Sequence, residues 1–289
     1  MTRLLIRHET RYDYENPVIF GQHRLLVRPR DSHSVRIIEA KLTFSQQGKT
    51  RWQYDALGNC VCYWTPGSPA STLSIVSELV IERFPAQLSP LEMHNPHTVT
   101  PVVYSREDRR VLTAFIEPAT EEDGVLLPWL RQRMGSPDEA ALDFLLRLTQ
   151  SIFRELHYQE RDAEGVQLPS ETLHKGGGSC RDYAWLMVET LRRMGFAARF
   201  VTGYLHSPQN SGVRGAGATH AWCEVFLPDI GWMEFDPTNG LAESSALIPV
   251  AATRTPEQAA PVSGAFTGDP GFRQMFVGVD VRLAYPDTL

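Results

Sequence analysis

Cys180 follows Gly176-Gly177-Gly178-Ser179 and heads an apolar stripe of helical period, Ala184, Met187, Val188, Leu191 and Met194. In the first turn of a helix, a cysteine meets the positive end of the macrodipole and N–H groups that lack helical partners, and both favour thiolate. The same N–H groups can hydrogen-bond an oxyanion forming on an attacked carbonyl. The glycines are read as room for backbone and substrate to approach without a Cβ between them. A buried structural cysteine behind a flexible loop is the competing reading, and local sequence does not separate the two.

A nucleophilic thiol needs a base, and the base needs an orienting group. Nine histidines are available. His8 and His23 lie in strand-like sequence and His94 and His97 in polar loop sequence, so all four read as surface or structural. His157 and His174 fall at a helix end and in a loop. His220 opens the strand His220-Ala221-Trp222-Cys223-Glu224-Val225 just after a glycine-rich stretch. The following strand ends at Asp236-Pro237, where proline cannot donate to a ladder and a side chain often faces a cleft. Adjacent strands can bring the Asp236 carboxylate to the His220 ring, where it would fix the tautomer and support the imidazolium. Sequence alone does not set the register.

The elements that must hold these residues fall into two blocks. Residues 1–84 alternate apolar and polar positions: Leu4, Ile6, His8, Thr10, Tyr12 and Tyr14, then Ile38, Ala40, Leu42 and Phe44, then Leu73, Ile75, Leu79 and Ile81. Turn signals at Glu15-Asn16-Pro17, Gln47-Gly48, Gly58-Asn59 and Pro66-Gly67-Ser68-Pro69 separate them. The pattern predicts an antiparallel β-sandwich-like domain able to fold before the rest begins. Prolines 85, 90, 96 and 101 predict an extended crossover over 85–135. Residues 136–289 form the second block. Its first helix is read from the capping box Ser136-Pro137-Asp138-Glu139 and the stripe Ala141, Leu145, Leu148, Ile152 and Leu156. Next come the Cys180 helix, a strand over 196–205, a mobile Gly/Ser-rich loop over 207–218 and the His220 and Trp232–Asp236 strands. Val277, Val279, Val281 and Leu283 predict a last strand returning to one of the sheets.

Of 289 residues, 42% are hydrophobic and 21% charged, which excludes disorder, collagen and coiled coil for the whole chain. The formal charge of −6 argues against a nucleic-acid or anionic-membrane partner. The first residues carry no signal-peptide core, and no 18-residue apolar run occurs, so the chain reads as cytoplasmic. Four cysteines make no disulfide framework. Cys60 and Cys62 lack the further ligands a tetrahedral metal site needs, and Cys223 is read as packing. No Walker loop, dinucleotide fingerprint or calcium loop appears, so neither cofactor nor metal is expected.

The blocks Gly178-Ser179-Cys180-Arg181-Asp182-Tyr183-Ala184, Arg199-Phe200-Val201-Thr202-Gly203-Tyr204, His220-Ala221-Trp222 and Phe235-Asp236-Pro237-Thr238-Asn239 together resemble the transglutaminase-like superfamily in order and spacing. Tyr12-x-Tyr14, Asn16-Pro17-Val18 and Gly58-Asn59 resemble the β region that precedes this core in bacterial members. The resemblance implies an α+β fold with a papain-like core and a Cys-His-Asp triad: Cys180 as nucleophile, His220 as base and then acid, Asp236 as the orienting carboxylate. Gly178-Ser179 before the cysteine and Trp185 after it depart from the usual pattern, which bears on pocket shape. Asp182 is read either as a helix N-terminal charge or as a ligand for a substrate amine. Tyr204 and Trp222 are read either as groove lining or as core.

Two classes of function follow. One is cysteine acyl transfer on peptide or isopeptide amides of a peptide or protein substrate. Hydrolysis is favoured there over transamidation, and acetyl transfer finds no basic nucleotide pocket. The other is a non-catalytic module that holds a peptide in the same groove. The oligomeric state is left open.

Overall fold

The computed structural model describes residues 1–84, 99–121, 124–136, 139–161, 163–206, 213–215, 217–228, 230–269 and 271–284. Prolines 85, 90 and 96, His94, His97, Pro137, Asp138, Asp229 and residues 207–212 of the glycine-rich stretch therefore lie outside the described residues.

The alternation from Leu4 to Tyr14 becomes one long strand, β1 (Thr2–Phe20), with Leu4, Ile6, His8, Thr10 and Tyr14 buried. Glu15-Asn16-Pro17 does not end it. The register on the neighbouring strand instead slips, from Asp13 opposite Thr72 to Val18 opposite Ala70. The strands β2 (His23–Leu25), β3 (Val35–Phe44), β4 (Gly48–Tyr54), β5 (Cys60–Pro66) and β6 (Ala70–Arg83) complete the N-terminal region. An antiparallel sheet runs β1-β6-β3, and a second runs β2-β5-β4. Tyr14, Val18, Phe20, Leu25, Val27, Cys62, Trp64, Leu73 and Ile75 form one buried cluster between them.

This region is not closed by its own residues. A strand at the far end of the chain, Phe272–Leu283, lies along β1 from Leu4 opposite Leu283 to Tyr14 opposite Phe272. Val262–Ser263 adds to β2 and Phe266–Thr267 to the end of β1. The last strand thus returns to a sheet as its pattern suggests, and the described tail after 261 pairs with the N-terminal sheets although 136–289 reads as one block. A unit that folds alone from residues 1–84 would leave one edge of β1 unpaired.

The segment 106–131 is not an extended crossover either. It forms helices α1 (Arg106–Ile116) and α2 (Leu126–Arg131), whose Leu112, Leu126 and Leu130 enter the main core. The next helix, α3 (Ala141–Glu155), starts later than its capping box predicts. Glu139 pairs with Arg147, its carbonyl accepts from the Thr100 N–H (2.9 Å), and Ala140 bridges to Val99, so the backbone there is extended. The predicted stripe from Ala141 to Leu156 is buried throughout. After α4 (Pro169–Lys175) comes α5 (Cys180–Arg193), buried on every side from Asp182 to Arg192.

The second block's sheet consists of β7 (Ala198–Leu205), β8 (His220–Leu227), β9 (Gly231–Asp236) and β10 (Leu247–Thr253). Its order is β9-β8-β7-β10, with Leu241–Ala242 beyond β9. The C-terminal strand is β11 (Phe272–Leu283). Tyr204, Ile248, Val250 and Ala251 share a cluster with Leu4, Ile6, Leu79 and Ile81, so the two blocks meet through a common apolar layer.

Candidate active site

Cys180 is the first residue of α5 and is only partly exposed. What places it is the turn before it. Ser179 caps the helix: its N–H and hydroxyl donate to Asp182 Oδ2 at 2.8 and 2.7 Å. Arg161 donates to both oxygens of Asp182 (2.9 and 3.1 Å), and the Gln167 N–H donates to Oδ1 (2.8 Å). Burial pushes the Asp182 carboxyl toward neutrality, but Arg161 and these donors outweigh it and hold the pKa below the usual value. Asp182 is wholly buried with both oxygens occupied, so the reading of it as a ligand for a substrate amine is corrected. It is the clamp on the helix start.

The glycines before Cys180 serve the chain itself rather than a substrate. Gly176, at φ +64°, ends α4 in the left-handed conformation, with its N–H on Leu173 O (3.1 Å). Gly177–Gly178 then run parallel to His157–Tyr158. A Cβ on Gly177 would lie 2.2 Å from the His157 carbonyl oxygen, and one on Gly178 would lie 2.8 Å from Asp182 Cβ. His157 and His174 are exposed.

His220 begins β8, and Asp236 ends β9. Cys223 stands opposite Phe235, which puts Asp236 opposite Trp222 and diagonal to His220. Asp236 Oδ2 accepts from His220 Nε2 at 2.9 Å. The same oxygen accepts from Asn239 Nδ2 (2.9 Å), and Oδ1 accepts from the Thr238 N–H (2.9 Å). Both members of the pair are buried. Burial opposes charge on His220, but the Asp236 carboxylate and then the Cys180 side chain outweigh it and raise its pKa to about 10. Burial likewise opposes charge on Asp236, and the imidazolium, Asn239 and Thr238 hold its pKa low. Nδ1 of His220 is buried and makes no hydrogen bond of ordinary length, which leaves it available to the thiol. The structure thus brings Cys180, His220 and Asp236 together.

Trp222 and Tyr204 are elsewhere. Trp222 is fully buried, stacked on the His220 ring with centroids 6.0 Å apart, so it supports the imidazole rather than lining a groove. Tyr204 lies between the two blocks, donating to Val27 O (3.0 Å) beside His8 Nδ1 (3.1 Å). Its assignment to substrate is corrected by that burial.

Sequence reading missed four residues of the site. Arg161 and Asn239 hold the two carboxylates, Tyr158 lies within electrostatic reach of Cys180, and the Arg214 backbone brackets the Asn239 amide. Only Asn239 left a signal, an amide three residues after the strand-ending aspartate. The remaining thiols are unreactive in character, since burial raises Cys60, Cys62 (to about 11) and Cys223. Among the described residues, no group of three or more His, Cys, Asp or Glu side chains is placed to hold a metal, and no helix is long and apolar enough to cross a membrane.

Comparison with known proteins matches the same two blocks. Residues 130–237 match the transglutaminase-like superfamily, and residues 4–82 match the bacterial transglutaminase-like N-terminal region. An uncharacterised protein of Mycobacterium leprae is 26% identical over 98% of this chain and all of its own length. One of Mycobacterium tuberculosis is 26% identical over 99% of this chain and 95% of that protein. The crystal structure of a candidate cysteine protease from Cytophaga hutchinsonii superposes with a TM-score of 0.74 at 19% identity, covering 100% of this chain and 92% of that one, a likeness of fold. With the two family regions in this order, the chain belongs to the transglutaminase-like superfamily and carries the bacterial N-terminal region of that family.

Proposed function

We propose that this chain is a cysteine-dependent acyl-transfer enzyme acting on peptide or isopeptide amides, with water as the acceptor. One observation carries the reading: the Asp236 carboxylate holds a charged His220 whose other nitrogen is left for Cys180, at the N-terminus of a helix. In the charged form of His220 the thiol's proton already sits on the imidazole, and the Cys180 thiolate adds to the amide carbonyl. The first-turn N–H of Cys180 hydrogen-bonds the oxyanion. His220 then protonates the leaving amine as the C–N bond breaks, leaving a thioester that water cleaves with His220 as base. Asp236 is the orienting member of the triad. Asp182 and Arg161 act at one remove, as positioning residues. The two N-terminal sheets are read as a sandwich that supports this core, and the cytoplasm, which keeps thiols reduced, as its compartment.

Replacing Cys180 with alanine tests the reading. We expect turnover of peptide and isopeptide substrates to fall about 10⁴-fold or more, and iodoacetamide labelling at pH 7 to disappear. Labelling carried by Cys60 or Cys223 while Cys180 stays silent would remove the assignment. Mass spectrometry of the products then separates hydrolysis from transamidation.

A further inference from the structure

A cation at this site has no task in the chemistry just described. The Arg214 N–H donates to Asn239 Oδ1 (2.8 Å), and its carbonyl accepts from Asn239 Nδ2 (3.3 Å), the group that also donates to Asp236. Gly215, at φ +83°, lies so close to the imidazole that a Cβ there would be 3.0 Å from His220 Nδ1 and 3.6 Å from the Tyr158 hydroxyl. The Arg214 guanidinium stands over the Phe153 ring at 4.6 Å and faces the Tyr158 ring at 6.0 Å. Tyr158 in turn lies within electrostatic reach of both Cys180 and Arg214. The only polar contact of the guanidinium among the described residues is a long one, Nη1 to Phe153 O at 3.5 Å.

In this half of the chain, Arg133, Arg147, Arg161, Arg192, Arg193 and Arg199 each hold a carboxylate, while Arg181 and Arg254 donate to backbone carbonyls at ordinary hydrogen-bond distance. Among the described residues, no carboxylate pairs with Arg214. A guanidinium with aromatic planes beside it, and with a donor edge that makes one long contact, is shaped to take a carboxylate in a fork. Its backbone is fixed through Asn239, the residue that also donates to Asp236, so the base of the side chain is anchored to the His220–Asp236 pair.

We infer that Arg214 binds a carboxylate of the substrate, so that the amide attacked by Cys180 belongs to an acidic peptide with a glutamyl or aspartyl side chain, or a free terminal carboxylate, beside the scissile bond. The inference rests on the acyl-transfer reading for its placement of the thiol. It makes the site selective for an anion, the opposite of the amine that one of the two readings of Asp182 would have it receive.

Chloroacetyl reagents test this on the whole chain without requiring turnover. The Cys180 thiolate displaces chloride: a C–S bond forms, the C–Cl bond breaks, and chloride leaves with the electron pair. One pair compares chloroacetyl-glutamic acid amide with its glutamine analogue, and a second compares chloroacetyl-glycine with its amide. Rates are read by mass spectrometry at pH 7 and low salt and divided by the rates on glutathione. In the wild type, we expect the acidic member of at least one pair to label Cys180 about 10- to 100-fold faster, the range of a charge-assisted contact. The pair that shows it tells side-chain from terminal carboxylate. R214Q should reduce the preference to within about threefold while leaving the neutral reagents within about threefold of wild type, and R214K should restore part of it. Absence of any acidic preference in the wild type, which needs no variant to fold, overturns the inference, as does a preference that survives in R214Q. Failure of every reagent and of iodoacetamide to label Cys180 overturns the acyl-transfer reading, and the inference with it.

Discussion

Two strand histidines are almost completely buried, and the chain treats them in opposite ways. His8 lies where the N-terminal sheet meets the core sheet, and His220 lies at the candidate active site; they are 2% and 1% exposed. The Tyr204 hydroxyl donates to Val27 O, so His8 Nδ1 is the donor to Tyr204, and Nε2 accepts from Thr10 Oγ1 (3.2 Å). With neutral partners only, burial lowers the His8 pKa to about 4. The Asp236 carboxylate raises that of His220 to about 10 against the same penalty. Burial sets the size of the electrostatic stakes, and the neighbour decides the sign.

Removing the neighbour gives the largest effect. D236A should lower kcat/KM about 10³- to 10⁴-fold and cost about 3–5 kcal/mol in urea unfolding, because it strands a buried imidazolium. If activity survives within tenfold, His220 does not depend on its carboxylate and the contrast with His8 collapses. D182N tests the helix clamp: it should cost about 2–3 kcal/mol, less than a fully buried pair because Arg161 keeps some contact with water. KM for amine-bearing substrates should stay unchanged, and a selective rise for cationic substrates would return Asp182 to the groove.

The pH dependence of stability separates the histidines directly. His8 has a folded pKa below its ordinary 6.5, so the unfolded chain takes up its proton first and stability falls as pH drops from 6.5 toward 4. That should amount to about 1.5–2 kcal/mol between pH 6.5 and 5, and H8Q should flatten it. The contribution of His220 has the opposite sign: it is complete below pH 6.5 and is lost as pH rises toward about 10. The lowered pKa of Asp236 confines its own contribution to pH above its usual 3.8, with loss in acid. Unfolding at pH 5, 7 and 9.5 checks both limbs, and an acid limb unchanged in H8Q would mean other groups carry it. The smallest effect is Y204F, which should cost about 1 kcal/mol from the lost Val27 contact and leave kcat/KM within twofold. A marked change in KM would instead put Tyr204 in the substrate groove.

The residues proposed to react were legible because each leaves a local signal: Cys180 in the glycines and helical stripe, His220 in its strand start, Asp236 in the proline that stops its strand. Their supports were not, because they come from afar. Arg161 reaches Asp182 across 21 residues, and Gly177–Gly178 pair with a two-residue strand too short to show a period. The polar face of α5 misleads in the same way. Glu189 accepts from the Ala119 and Thr120 N–H groups and pairs with Arg192 and Arg193, so the polar face is covered by another segment that the apolar stripe does not announce. Sequence period reports which residues avoid water, not which polar ones are sheltered by a partner.

β11 does two jobs at once. It closes the edge of β1, and its Val279 N–H also donates to the Gly217 carbonyl (2.9 Å), in the stretch that lies over His220. In order of synthesis, β1 emerges well before its partner, and most of the described residues lie between them. That is a long-range pairing of the kind that forms late. A nascent or prematurely terminated chain that stops before residue 272 would have its thiol, imidazole and carboxylate in sequence but neither its sheet edge nor this anchor in place. Synthesis of β11 thereby sets when the edge of β1 and the segment beside His220 are secured, and copies that lack it expose an open strand edge.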